Sequence, residues 1–162
     1  MQIHPKLGNR GFLLPVDISE LPLDRIKRVF YVGVGTMGDK RGFHAHKTGS
    51  QVIVCVKPTI DVHYRDKDGF HAVKLDKIGS WMLLKPMSYA YQFYSPQSSI
   101  MVLCDDEYNE KDYIRDYDQF KLELKIDARS ANPIPTVDSH DNFCDKNGCR
   151  GGKVRKGCNT CN

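Results

Sequence analysis

From Gly11 to about Asp105 the chain is a succession of short β-branched, aromatic and aliphatic runs, each closed by turn-forming residues. The runs are RVFYVGV (28–34), QVIVCVK (51–57), TIDVHYR (59–65), FHAVKL (70–75), SWMLLK (80–85) and SIMVLCD (99–105); the breakers between them are GTMGDKRG, KP, DKDG, KIGS, KPMS and SPQSS. Branched and aromatic side chains suit a pleated, half-buried surface, whereas Gly, Pro and Asp supply the turn conformations. The pattern predicts an all-β domain. In IDVHYRDKDGFHAVKL the Asp-Gly step between two alternating runs predicts a hairpin whose turn needs positive φ. Alternation there puts Val62 and Tyr64 on one face and His63 on the other, so that His63 and His71 are expected to face solvent.

Beyond the strands, NEKDYIRDYDQFKLELK changes period. Tyr113, Tyr117, Phe120 and Leu124 recur at helical spacing, which predicts an amphipathic helix packed on the sheet, with Asn109 as its cap and Glu110 and Asp112 in its first turn. The core domain is expected to span residues 1–126. The proline-punctuated polar stretch 127–139 reads as a linker, and 140–162 is a Cys-rich tail. Six or more short strands with no helix between them favour a sandwich or small barrel over an α/β sheet, and a jelly-roll barrel is the natural candidate.

The composition agrees with one globular core. The chain has 162 residues, 40% of them apolar, with mean hydropathy -0.49. No apolar run approaches the roughly 20 residues that span a bilayer, and the start, MQIHPKLGNRG, lacks the apolar stretch of a signal peptide. These features point to a cytoplasmic protein without membrane association. A net charge of +4, spread along the chain, favours an anionic ligand weakly and is not the footprint of a nucleic-acid binder.

The candidate chemistry lies in RGFHAHK, residues 41–47. On a strand, side chains two apart share a face, so His44 and His46 form one cluster, suited either to holding a metal or to moving protons. The motif resembles the first motif of the cupin superfamily, glycine then His-x-His then glutamate, but the glutamate place holds Gln51. In GSWMLLKPMSYAY the second cupin motif keeps Gly79 and Pro86, with Tyr91 where the last histidine ligand stands. A neutral amide and an un-ionised phenol are poor ligands, so no metal is expected in the barrel. Charging two adjacent imidazoles is unfavourable, which keeps one neutral and available as a base.

A longer stretch carries a closer resemblance. IKRVFYVGVGTMGDKRGFHAHKTGSQVIVCV, followed by DDEYNEKDYIRDYDQFK and preceded by NRGFLL, is similar to the dTDP-4-keto-6-deoxyglucose 3,4-ketoisomerases, small cupins that need no metal; the likeness covers roughly residues 8 to 125. It implies a cupin-type jelly roll that moves the ketone of a dTDP-linked 4-keto-6-deoxyhexose from C4 to C3 through an enediolate, with no cofactor. It also implies His44 and His46 as base and proton carrier, Tyr31, Gln51 and Tyr91 around the sugar, and Arg10 and Arg41 as clamps for diphosphate or oxyanion. Relatives show Trp-His where Ala90-Tyr91 stands here, which bears on substrate choice. Homodimers with exchanged N-terminal strands are a further implication. Two other readings of the same chain are a catalytically silent cupin that binds nucleotide sugars and a 3,5-epimerase-like cupin.

The tail CDKNGCRGGKVRKGCNTC lies outside that resemblance. Cys144, Cys149, Cys158 and Cys161 have the spacing of a structural zinc site in a reducing compartment, with disulfides or free thiols as the alternatives.

Overall fold

Eleven strands, among the described residues 2–125 of a computed structural model, arise where the turn chemistry divides the apolar runs. They are β1 (Lys6–Gly8), β2 (Gly11–Leu13), β3 (Arg28–Gly33), β4 (Asp39–His46), β5 (Gln51–Lys57), β6 (Ile60–Asp66), β7 (Gly69–Leu75), β8 (Trp81–Leu84), β9 (Tyr89–Tyr94), β10 (Ser99–Cys104) and β11 (Tyr113–Ile114), followed by one helix, α1 (Tyr117–Glu123). The linker 127–139 and the cysteines of the tail fall outside the described residues.

β3-β10-β5-β8 and β11-β4-β9-β6-β7 form two antiparallel sheets, and β1 pairs with β2 as a separate hairpin. This is the expected all-β jelly-roll architecture. Between the sheets lies a core that includes Ile53, Cys55, Ile60, Val62, Leu75, Met82, Leu84, Ile100 and Val102. A second cluster covers the back of the four-stranded sheet, where Ile3, Leu21 and Leu23 of the N-terminal segment pack on Val52, Val54, Trp81 and Leu103. β5 is therefore buried on both faces from Gln51 to Cys55. That explains why QVIVCVK reads as a continuous apolar run instead of alternating.

The predicted hairpin forms, with Asp66 opposite Gly69 and Gly69 at φ +131°. Its histidines are less exposed than alternation suggested. His63 packs among Tyr91, Phe70 and Phe93, while His71 stacks on Tyr64 and sits 3.0 Å from Asp66.

The expected long helix is divided. Asn109 caps only a 3-10 turn, Glu110–Asp112, and Tyr113 and Ile114 then pair with His46 and Ala45 at the sheet edge. Asp116 caps α1 instead, accepting from the Gln119 N–H. Tertiary pairing overrides the helical spacing here, because β-branched Ile114 is fully buried beside β4 and gains more from the sheet than from an exposed turn. Tyr117 and Phe120 do what the stripe predicted, packing on Tyr89.

Candidate active site

The site is built around a β-bulge. In β4, Gly42 lies opposite Tyr91 and His44 opposite Ala90, which leaves Phe43 as an extra residue. Gly42 at φ 95° and Phe43 at φ 58° accommodate the insertion. A Cβ on Gly42 would stand 2.8 Å from the Ala90 carbonyl oxygen, so the position admits only glycine. A left-handed Phe costs about 1–2 kcal/mol, a strain the surrounding contacts must hold. The consequence is a change of parity. Strict alternation would set Arg41 and His44 on opposite faces, whereas after the bulge both line the same cavity.

That cavity, about 200 Å³ between the sheets, is walled by Phe30, Val32, Arg41, His44, Gln51, Gln92, Tyr94 and Tyr113 among others. A smaller pocket behind it, with about 10 Å³ of space, touches His44, His46, Gln51, Lys85, Ser88 and Ala90. The histidine rings lie edge to face at 5.2 Å, and Tyr113 packs against both, at 4.9 Å from His44 and 4.3 Å from His46.

The two imidazoles have different surroundings. His46 is held at both nitrogens: Nδ1 lies 2.8 Å from an Asp112 carboxylate oxygen, and Nε2 lies 3.0 Å from the Gln51 amide nitrogen. This arrangement fits a neutral ring with its proton on Nδ1, donating to the carboxylate and accepting from the amide. Asp112 is anchored in turn, accepting from the Thr48 N–H and hydroxyl at 2.8 and 2.9 Å. Burial alone would raise the Asp112 pKa, but the hydrogen bonds from His46 and Thr48 outweigh it and the net shift is downward. His44, in contrast, has a buried Nδ1 that makes no side-chain hydrogen bond. Burial lowers its pKa; a hydrogen bond to the Gly42 backbone opposes the shift without cancelling it, and neighbouring His46 pushes the same way as burial. A neutral imidazole at a cavity wall, with no carboxylate or amide side chain holding it, has the properties of a general base.

Of the residues named from sequence, His44, His46, Gln51 and Arg41 come together here. Three do not. Arg10 sits at the turn of the β1–β2 hairpin, lining a separate surface hollow. Tyr31 is 62% exposed, on the outer face of β3, because its neighbours Phe30 and Val32 take the inward positions. Tyr91 is fully buried, but its ring lies on the back of the sheet, stacked on Phe43. Alternation along β9 turns Gln92 to the cavity and Ala90 to the smaller pocket instead, so the β9 residue opposite His44 is an alanine. Asp112, Tyr113 and Gln92 are the site residues that sequence reasoning missed. No group of three or more His, Cys, Asp or Glu side chains able to hold a metal occurs among the described residues.

The family model described as FdtA: WxcM-like, C-terminal matches residues 4–125. The chain belongs to this family. A curated relative, the TDP-4-oxo-6-deoxy-alpha-D-glucose-3,4-oxoisomerase of Aneurinibacillus thermoaerophilus, is 35% identical over 117 residues, which is 71% of this chain and 84% of the relative. Among solved structures, QdtA, a sugar 3,4-ketoisomerase from Thermoanaerobacterium thermosaccharolyticum in complex with TDP, is 27% identical with a TM-score of 0.67, covering 76% of this chain and 91% of that one. A 3,4-ketoisomerase from Helicobacter canadensis is 28% identical with the same TM-score, over 76% and 94%. The cupin-type fold is common to this chain and these neighbours.

Proposed function

We propose that the protein is a sugar-nucleotide 3,4-ketoisomerase, moving the ketone of a dTDP-linked 4-keto-6-deoxyhexose from C4 to C3. The observation that carries the reading is the unequal histidine pair, one imidazole at the cavity wall with no side-chain hydrogen bond to Nδ1 and one held between a carboxylate and an amide. The activities of the curated relative and of the solved ketoisomerases support it.

The chemistry requires two proton transfers and no change in overall oxidation state. A base takes the C3 proton, acidified by the neighbouring C4 carbonyl, and the electron pair forms an enediolate across C3 and C4. A proton then returns at C4 while the O3 proton is lost and O4 gains one, leaving the ketone at C3. His44 is the base, since a neutral ring can accept the carbon proton without first losing one. His46 carries protons between the oxygens, and Asp112 holds its ring orientation. Tyr113 and Arg41 offer donors to the developing negative charge on oxygen. Metal is not needed for any of these steps.

Incubation with dTDP-4-keto-6-deoxyglucose in deuterated water tests the proposal. Deuterium at C3 or C4 together with a 3-keto product in the NMR spectrum is the expected result, and turnover is lost in His44→Asn. Nucleotide-sugar binding with neither change would instead favour a catalytically silent cupin. Deuterium at C5 would favour 3,5-epimerase chemistry.

Two parts of the proposal concern assembly. The hairpin side chains Leu7, Phe12 and Leu13 and the β3 side chains Val29 and Tyr31 are exposed, an apolar set suited to a homodimer in which N-terminal strands exchange and Arg10 approaches the partner's site. The four tail cysteines are proposed to hold a structural zinc ion on the strength of their spacing. Metal analysis of the intact chain against one ending near Ser130 is expected to find one zinc in the intact chain only. No helix among the described residues is long and apolar enough to cross a membrane.

A further inference from the structure

Behind the bulge, on the face of the sheet turned away from the cavity, the ring of Phe43 lies parallel to that of Tyr91, with centroids 5.2 Å apart and an interplanar angle of 5°. The Tyr91 hydroxyl lies 3.3 Å from His63 Nδ1, and Phe93 packs edge-on against both Tyr91 and His63. Tyr91 has no exposed surface, although it points away from the core between the sheets. A left-handed backbone at a bulky residue persists only where its surroundings overdetermine it. Here the residue that carries this strain, Phe43, is next in sequence to His44 and is clamped by a ring from the neighbouring strand.

We propose that the stack of Phe43 on Tyr91, anchored by His63, is a positioning device that holds the bulge and thereby sets His44 in the cavity on the same face as Arg41. The stack touches no substrate and acts through the β4 backbone. If it loosens, β4 can return toward regular alternation, which turns the His44 ring away from the cavity or lets water reach it. This role explains why a large aromatic residue occupies position 91 although Ala90 and Gln92 face the site.

The inference rests on His44 being the base of the proposed isomerase, but one of its readouts needs no substrate. The groups facing His44 are His46 and Arg41 from its own strand, Lys85 just after β8, Tyr94 from β9, Tyr113 from β11, and Arg115 and Glu110 from the segments on either side of β11. None of these is altered in the variants below, so a change in His44 titration reports its position. The informative variants are Tyr91→Ala, Tyr91→Phe and Phe43→Gly. The last keeps the left-handed backbone comfortable while deleting the ring, and so separates strain from stacking.

In Tyr91→Ala and Phe43→Gly, kcat is expected to fall by about tenfold or more with KM changed by less than about threefold, the signature of a misplaced reacting group. The NMR titration midpoint of His44 is expected to rise toward that of a solvated histidine, and Tyr91→Phe is expected to restore both. Should Tyr91→Ala fail to fold, Phe43→Gly and Phe43→Leu carry the test. A lowered Tm with kcat and the His44 midpoint both unchanged would make the stack mere packing and overturn the proposal. A shifted midpoint in a protein whose wild type shows no isomerisation would overturn the assigned reaction and leave the positioning role standing.

Discussion

His44 answers a falling pH differently from a solvated histidine. Burial depresses the His44 pKa below the ordinary histidine value, so the ring stays neutral and basic further into the acid range than a solvated histidine. The acid limb of kcat/KM is therefore expected below about 6.5, and a pH–rate profile checks it. The same shift has a consequence for stability. The unfolded chain takes up the proton first, so stability is full above the unfolded value and declines as pH falls from there toward the folded pKa. Asp112 adds a lower window, since its net depressed pKa contributes stability that is lost as pH falls through the folded value. The pair itself was legible in RGFHAHK, because i and i+2 share a face on any strand. Their partners were not, since Asp112 lies 66 positions from His46 and was hidden in a stripe with helical spacing. The fault at Tyr91 has a simpler origin: a shift of one residue along a strand exchanges the two faces, and the site side takes Ala90 and Gln92 instead.

At the level of elements, the bulge in β4 decides whether the arginine and the histidines cooperate. Deleting Phe43 removes the extra residue and leaves Arg41 and His44 two apart, on the same face of a regular strand. Activity is expected to survive within about tenfold, with circular dichroism keeping its β signature; a folded deletion variant that loses activity by about a hundredfold or more would contradict the parity argument. Strand runs and breakers made most of this fold readable in advance, including the hairpin at Asp68-Gly69. The bulge was not readable, because Gly42 before an aromatic residue fits an ordinary strand equally well. The split of the expected helix into a 3-10 turn, β11 and α1 was decided by pairing with β4, a contact between segments more than 60 residues apart.

Across the whole molecule the exposed apolar surface is uneven. Val29 and Tyr31 stand out from the outer face of β3, and Leu7, Phe12 and Leu13 from the hairpin. Light scattering is expected to give the mass of two chains, and Tyr31→Glu with Leu13→Glu is expected to shift it toward one; an unshifted dimer would move the interface elsewhere. The described residues also carry their site across a long span of chain. The sheet that presents the histidines is closed by β9, yet the carboxylate and phenol that complete the cluster arrive only with Asp112 and Tyr113. During synthesis, a chain that has already emerged as far as β10 can pair both sheets and still lack the groups that orient His46. On the proposed mechanism, the histidine cluster is completed only by one of the last strands of the described residues to be synthesised, after both sheets can have paired.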